Sequence, residues 1–585
     1  MAPGCAASCR AENFYESGLT AAQSSQTRNK GYSVVSEQGR DWIVDPAGRR
    51  FLSFGVCVVD AGSPFLAYDP TNPSYAAFQH YPTPQAWAAD TVDRLGKWGF
   101  NTIGAWSQTD ALRAAPNNKL YFMPILHMGS SAGAPWKDMW DPEVVNLMDA
   151  VARDQIKPIA DDPRVVGFFS DNEMGWWEGA LFDWAWKSAG TRAHLVQLLS
   201  ARYQTWPALL ADFDPEGADS FESLAKSGRL YLRAGGNGMG AVQAYMGVLA
   251  DRYYSLCRAS IKRYDTNGLF LGDRYISNFY PEVASAAAKY VDILSTNLNG
   301  DWNDGSFTRS YLPDLELITQ KPILISEYYE SATENASGNK NDSSGFPVVR
   351  TQAERATRFS QSTSYLFRQP YVVGAHWFQY TDEPKNGRGD GENYNFGLVD
   401  IRNQPYHDLV RASAALGPNA LHEKGPVMLA DATSGVPPAP ERPSDLEAWN
   451  RDRGFVAPTS MFPRGDLYLS WSGSRVYAAF YWNEDRFDEA FYRGGKVPAE
   501  ELGVATLQID GKTATGTASE EDGDHGELPG AFNHRRGVRQ TMILSVDLGR
   551  TLHAGDSINL DARVVTRGRA YTGAWKGAFT LAGAK

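Results

Sequence analysis

The sequence predicts an α/β protein, a (β/α)8 TIM barrel followed by a C-terminal all-β, sandwich-like module. Three observations carry that expectation. Eight short apolar runs alternate with longer stretches of helical spacing between Phe51 and Trp377. A proline-rich stretch follows, from Gly435 to Pro443. Beyond it the apolar period falls to two.

In chain order, residues 1–30 are small and polar and read as a loose N-terminal extension. The barrel region is expected over 31–425. It opens with a hairpin whose turn chemistry is Asp45-Pro46-Ala47-Gly48. The candidate strands are Phe51–Val58, Phe100–Ala105, Tyr121–His127, Val165–Ser170, Leu269–Asp273, Val291–Thr296, Pro322–Ser326 and Val372–Trp377. Thr83–Trp98, Pro142–Ile159, Ala241–Tyr264 and Gln352–Phe367 have helical spacing. Continuous apolar strands separated by helices indicate a parallel sheet with both faces covered. Eight repeats over roughly 375 residues fit a barrel with insertions. A doubly wound open sheet is the alternative, and no glycine-rich phosphate loop follows the first strand to favour it. Residues 426–445 form the expected linker, and 446–585 an accessory module loosely like carbohydrate-binding or jelly-roll modules.

Composition narrows the function classes. A net charge of -12 argues against nucleic acid as a partner. No apolar run is long enough for a membrane helix. The four cysteines (Cys5, Cys9, Cys57 and Cys257) include no CxxC pair, and the nine histidines include no HExxH, so neither a metal nor another cofactor is expected. The acidic run Glu520 to Asp524 lacks EF-hand spacing and reads as a solvated turn. No signal-peptide core is visible; Met1-Ala2-Pro3-Gly4 fits a start set before a mature sequence, so a secreted or periplasmic location is the expectation. The 17 Trp and 28 Tyr are the informative excess. Many stand beside Gly, Asn, Asp and Glu, and flat rings beside hydrogen-bonding groups suit sugars.

In a parallel barrel the active site lies where strands end. The fourth strand ends in Asp171-Asn172-Glu173 and the seventh in Glu327. One glutamate at a strand end is as well explained by a stabilising loop charge. Two on facing strands, one led in by Asn, point to glycoside cleavage. That reaction needs one carboxyl to protonate the leaving oxygen and another to attack the anomeric carbon. The acid should have a raised pKa, and the nucleophile should stay ionised among donors.

These residues carry a resemblance. Asn172-Glu173 with Glu327 resembles the clan A (β/α)8 glycosidases. Val166 to Trp176 is similar to the fourth-strand motif of the family 50 β-agarases. So are Gly374 to Tyr380 and the Gly387 to Leu398 block, and Leu271 to Tyr275 is similar to that family's fifth strand. The resemblance spans roughly residues 32–415. It implies a retaining β-glycoside hydrolase on a galactan of the agarose or porphyran type. Glu173 would be the acid/base, Glu327 the nucleophile, and Asn172 a contact of the sugar 2-hydroxyl. The chain departs after Glu327. It reads Tyr328-Tyr329-Glu330-Ser331 and then a long polar loop through Asn335 to Gly345, expected to sit over the cleft. Its β-module also follows the barrel.

Further binding candidates stand at other strand ends. Trp377 is expected as a stacking floor and His127 as a hydroxyl partner. Trp106, Arg274, Asn297 and Tyr328 complete the set, with Arg388 and Glu392 as a clamp or cleft lining. The expected partner is a poly- or oligosaccharide. Other readings are a β-galactosidase or other β-glycosidase, and a non-catalytic carbohydrate-binding protein. A serine esterase would need a GxSxG elbow at a strand–helix junction, and none is placed so.

Overall fold

Gln38 and Gly39 both take positive φ, at 53° and 71°, and fold Ser33–Glu37 back on Arg40–Val44. Two successive left-handed residues match the twist of paired strands. The chain then enters the first of eight parallel strands. They are β1 (Ser53–Val56), β2 (Thr102–Ile103), β3 (Tyr121–Phe122), β4 (Gly167–Phe168), β5 (Leu269–Phe270), β6 (Leu294–Asn297), β7 (Ile323–Tyr328) and β8 (Val372–Trp377). The computed structural model describes residues 31–275, 280–298, 311–343, 346–425, 455–456, 465–483, 488–519, 521, 523–536, 539–566 and 571–581. The expected N-terminal extension and proline-rich linker lie outside them.

Six strands form one parallel sheet in the order β6-β7-β8-β1-β2-β3, and β4 pairs with β5. Isolated parallel bridges run from Phe122 to Val165, from Ile125 to Phe169 and from Tyr275 to Thr296. Every residue of β7 and β8 is buried, as expected for strands covered on both faces. Gly55 in β1 has a packing reason to be glycine: a Cβ there would stand 2.4 Å from the ring of buried His376 on β8.

The outer helices follow their caps. α1 (Pro84–Lys97) starts where Thr83 accepts from the Ala86 amide, and α2 (Pro142–Ile156) starts at Asp141. After β4 comes an insertion that the sequence pattern did not resolve. It holds α3 (Glu178–Ala185), a 15-residue helix over Ala189–Tyr203, shorter helices, and a hairpin of Phe213–Glu216 with Arg229–Leu232. α4 (Met239–Tyr264) then packs against α2, and α5 (Gln352–Arg368) opens with a reciprocal Thr351/Glu354 cap.

The C-terminal strands form two antiparallel sheets. One contains Gly465–Ser472, Arg475–Asn483 and Arg539–Asp547; the other contains Val504–Ile509, Ser557–Thr566 and Tyr571–Thr580. Both contribute to one core that includes Phe480, Leu507, Leu544 and Trp575. The module meets the insertion: the Phe491 ring is 5.8 Å from Phe182, and Glu501 accepts from the Gly235 amide at 2.7 Å.

Candidate active site

Five of the first strands stop the same way. Val58, Trp106, His127, Glu173 and Arg274 follow β1 to β5 in turn, and all take φ between 46° and 56°. Side chains with a Cβ avoid this region, and each such residue costs about 1–3 kcal/mol. Strain repeated at the same end of five parallel strands marks that end as built for something other than stability.

Glu327 arrives differently. It lies within β7, and the register between β7 and β8 slips between Ile325 and Tyr328. The pairing of β6 with β7 also shifts at Asn297, which comes opposite Glu327. Such bulges re-aim side chains beside functional sites.

Arg274 organises what these strands deliver, and it is fully buried. Its Nη2 donates to Glu327 Oε2 at 2.7 Å, its Nε to Asn172 Oδ1 at 2.8 Å, and its Nη1 to the Ser326 carbonyl at 2.9 Å. Its guanidinium stacks 4.4 Å from the Trp106 ring centroid and 5.2 Å from that of Phe169. Asn297 supplies the second link. Its Nδ2 stands 2.9 Å from Glu173 Oε1, 3.1 Å from Asn172 Oδ1 and 3.4 Å from Glu327 Oε2. Ser326 Oγ donates to Asn297 Oδ1 at 2.7 Å and so sets which way that amide points. One nitrogen thus touches both glutamates.

The electrostatics differ from the sequence expectation. The raised carboxyl is that of Glu327: burial pushes it up to about 8, Arg274 opposes that, and the charges of Glu173 and Glu392 add to it. Glu173 is only half-buried. Below them His376 is pushed down to about 3 by burial and by the Arg274 charge, so it is neutral there. Burial also raises the thiol of Cys57, to about 11, and Cys57 Sγ rests 3.4 Å from the Ser326 carbonyl.

The structure therefore brings Asn172, Glu173, Arg274, Asn297, Glu327 and Trp106 together. His127 lies beside them, its ring 6.3 Å from that of Trp106. Both also line a cavity of about 740 Å³ with Gln108, Ile125, Gln155 and Ile159. That cavity is a side cleft, since neither Glu173 nor Glu327 lines it.

Two candidates are placed otherwise. Trp377 is 1 % exposed, enclosed by Tyr328, Phe359 and Arg355, with its Nε1 donating to the Phe396 carbonyl. It is a packing residue with no open face for a sugar. The Tyr328 hydroxyl meets Thr363 Oγ1 at 2.8 Å within the core. Tyr329, the next residue, takes the place by the carboxylates: burial raises its phenol, and the Glu327 and Glu173 charges raise it further. Nothing in the sequence distinguished the two tyrosines, because the bulge decides which one turns in.

Arg388 donates to Glu392 at 2.7 Å and to Asp390 at 2.8 Å, and lies 3.6 Å from buried Glu383. The polar loop after β7 is knitted to this segment. Asp342 Oδ1 accepts from Asn393 Nδ2 at 2.7 Å, and Asn341 Oδ1 accepts from the Asn395 amide at 2.9 Å. Among the described residues, no group of three His, Cys, Asp or Glu side chains is placed to hold a metal ion, and no helix is long and apolar enough to cross a membrane.

A parallel-sheet protein with two carboxylates and a buried arginine at its strand ends belongs to a recognisable class, and comparison narrows it. The chain resembles the family 50 β-agarases. It is 29% identical over 359 residues to β-agarase B of Vibrio sp. (strain JT0107), which takes in 56% of this chain and 36% of that one. To β-agarase A of the same organism it is 28% identical over 374 residues, or 55% and 34% of the two chains. The chain thus aligns with about a third of each of these curated relatives. No family model matches it. Among solved structures, PfGH50B has a TM-score of 0.57 at 21% identity, covering 68% of this chain and 67% of that one. The agarase AgWH50C has a TM-score of 0.56 at 24% identity, covering 68% and 65%. These two likenesses show a shared fold.

Proposed function

We propose that this chain is a retaining β-glycoside hydrolase acting on an agarose-type galactan, with Glu173 as acid/base and Glu327 as nucleophile. The observation that carries the reading is the single Asn297 nitrogen, 2.9 Å from one carboxylate and 3.4 Å from the other. The two oxygens cannot stand further apart than those distances laid end to end. A donor shared by both carboxylates requires them to stand close, which favours the roughly 5–5.5 Å spacing of retaining enzymes over the wider gap that admits a water in inverting ones. The substrate class rests on the similarity to proteins named β-agarases. The three parallel bridges support closure of the eight strands into a (β/α)8 barrel over 31–425, with 446–585 as an accessory module. A polymeric substrate favours a secreted or periplasmic enzyme.

Glu327 Oε2 is held by Arg274 and Asn297, which leaves Oε1 to attack the anomeric carbon. Glu173 gives its proton to the glycosidic oxygen as that bond breaks. It then takes a proton from the water that releases the glycosyl ester. Burial holds the Glu327 carboxyl up, to about 8, and the Arg274 charge opposes that. Arg274 stays on Glu327 and favours its ionised form. Double displacement requires the proton on Glu173 and the charge on Glu327.

The test is hydrolysis of agarose, porphyran and an aryl β-galactoside, with the first-formed anomer read by NMR. Retained anomer from agarose, lost in Glu173→Gln and Glu327→Gln, is the expected result. Full activity in both variants would defeat the assignment.

A further inference from the structure

A line of tryptophans leaves the catalytic end of the sheet along the loops after β3 and β4. Trp177 stands four residues beyond Glu173 and is half-buried. Its ring lies 6.2 Å from that of Trp136, in the loop after β3, and Trp136 lies 6.4 Å from Trp184 on α3. Trp184 is 40% exposed, although large apolar side chains on a helix normally turn inward. α3 has no slack to explain this: Leu181, Phe182 and Ala185 are buried, and Phe182 packs on Phe491 of the C-terminal module. The exposed ring is therefore presented by a fixed element. Its rim is polar. Lys187 Nζ lies 5.2 Å from the Trp184 centroid and donates to Asp183 at 2.7 Å.

The geometry points to Trp177, Trp136 and Trp184 as a second carbohydrate-binding site, a track that holds the galactan chain beyond the bond being cut. This inference rests on the proposed function. A sugar ring has an apolar face that stacks on indole and a hydroxyl rim that meets Lys187 and Asp183. The track begins in the segment that carries Glu173, so a polymer seated over the carboxylates leaves the cleft across it. A protein partner is the competing occupant of an exposed aromatic patch.

The experiment compares the wild-type chain with Trp184→Ala, Trp136→Ala and Trp184→Tyr. It measures KM on agarose, kcat/KM on an aryl β-galactoside, and retardation by agarose in native gels. The expected result is a KM on agarose raised about tenfold in the alanine variants, with weaker retardation. Activity on the small glycoside stays unchanged, and Trp184→Tyr keeps most of the wild-type behaviour. Unchanged small-glycoside turnover shows that the variants are folded. Alanine variants that bind and cleave the polymer like wild type overturn the track and leave the proposed function standing, with a protein interface as the better use of the patch. A wild-type chain that neither cleaves nor binds the polymer overturns both.

Discussion

Two clusters in this molecule are made of the same parts. Each has a buried glutamate pushed up to about 8, a second glutamate, and an arginine paired with a carboxylate. In the first, Glu173, Arg274, Asn297 and Glu327 come from β4 to β7, four separate strand ends. In the second, Glu383, Arg388, Asp390 and Glu392 come from one ten-residue stretch. The side chain of Arg274 is 0% exposed and that of Arg388 32%. The first cluster needs the whole sheet to exist and spends backbone strain at Glu173 and Arg274; the second closes locally and keeps water on its arginine. Carboxylates gathered at such cost are the ones assigned to chemistry. The local cluster holds a loop in place.

The largest effect separating them should come from the arginines. Arg274→Lys loses the planar fork that reaches Glu327, Asn172 and the Ser326 carbonyl at once, and kcat/KM on the galactan should fall about 100-fold. Arg388→Lys keeps its charge in a wetter place and should cost less than about threefold. Equal losses, measured by steady-state kinetics, would erase the distinction.

A smaller effect links the clusters. The active pair must keep one proton, so the alkaline limb of kcat/KM should fall near the raised carboxyl, at about 8. The Glu392 charge is one cause of that rise. Glu392→Gln removes it, so the limb should move to lower pH by less than about one unit. A limb that stays or moves up contradicts the link.

The smallest effect is on stability. The native chain holds a proton on Glu383 up to about 8, whereas the unfolded chain releases it near 4.5. Stability therefore falls as pH rises through that window. Glu383→Gln should flatten the fall and stabilise the chain at pH 8, by on the order of 1 kcal/mol, with no change near pH 4.5. Thermal melts across the window check this.

The sequence made the first cluster visible and much of the second's meaning invisible. Glu173 and Glu327 were legible because apolar runs placed them at strand ends, and Arg274 and Asn297 followed the same rule. Four of the long helices were legible from spacing and from caps such as Thr83 and Thr351, while Ala189–Tyr203 was not. Three further things were not. The hairpin after β4 contains Asp214-Pro215, which reads as a break in a strand. Trp377 stands at the end of β8 like a binding residue, yet Tyr328, Phe359 and Arg355 from distant segments enclose it. Glu383 looks like any loop glutamate, because its burial depends on Arg388 and on the Tyr394 amide that it accepts from. Pattern finds positions along a strand; it does not find the register slip that turns Tyr329 inward instead of Tyr328.

The central claim is that Glu327 attacks and Glu173 gives and takes the proton. An activated 2-deoxy-2-fluoro galactoside should trap the glycosyl ester, and peptide mass spectrometry should find the label on Glu327 alone. Arg274→Lys should slow labelling. A label on Glu173, on Glu383 or on no residue at all would contradict the account.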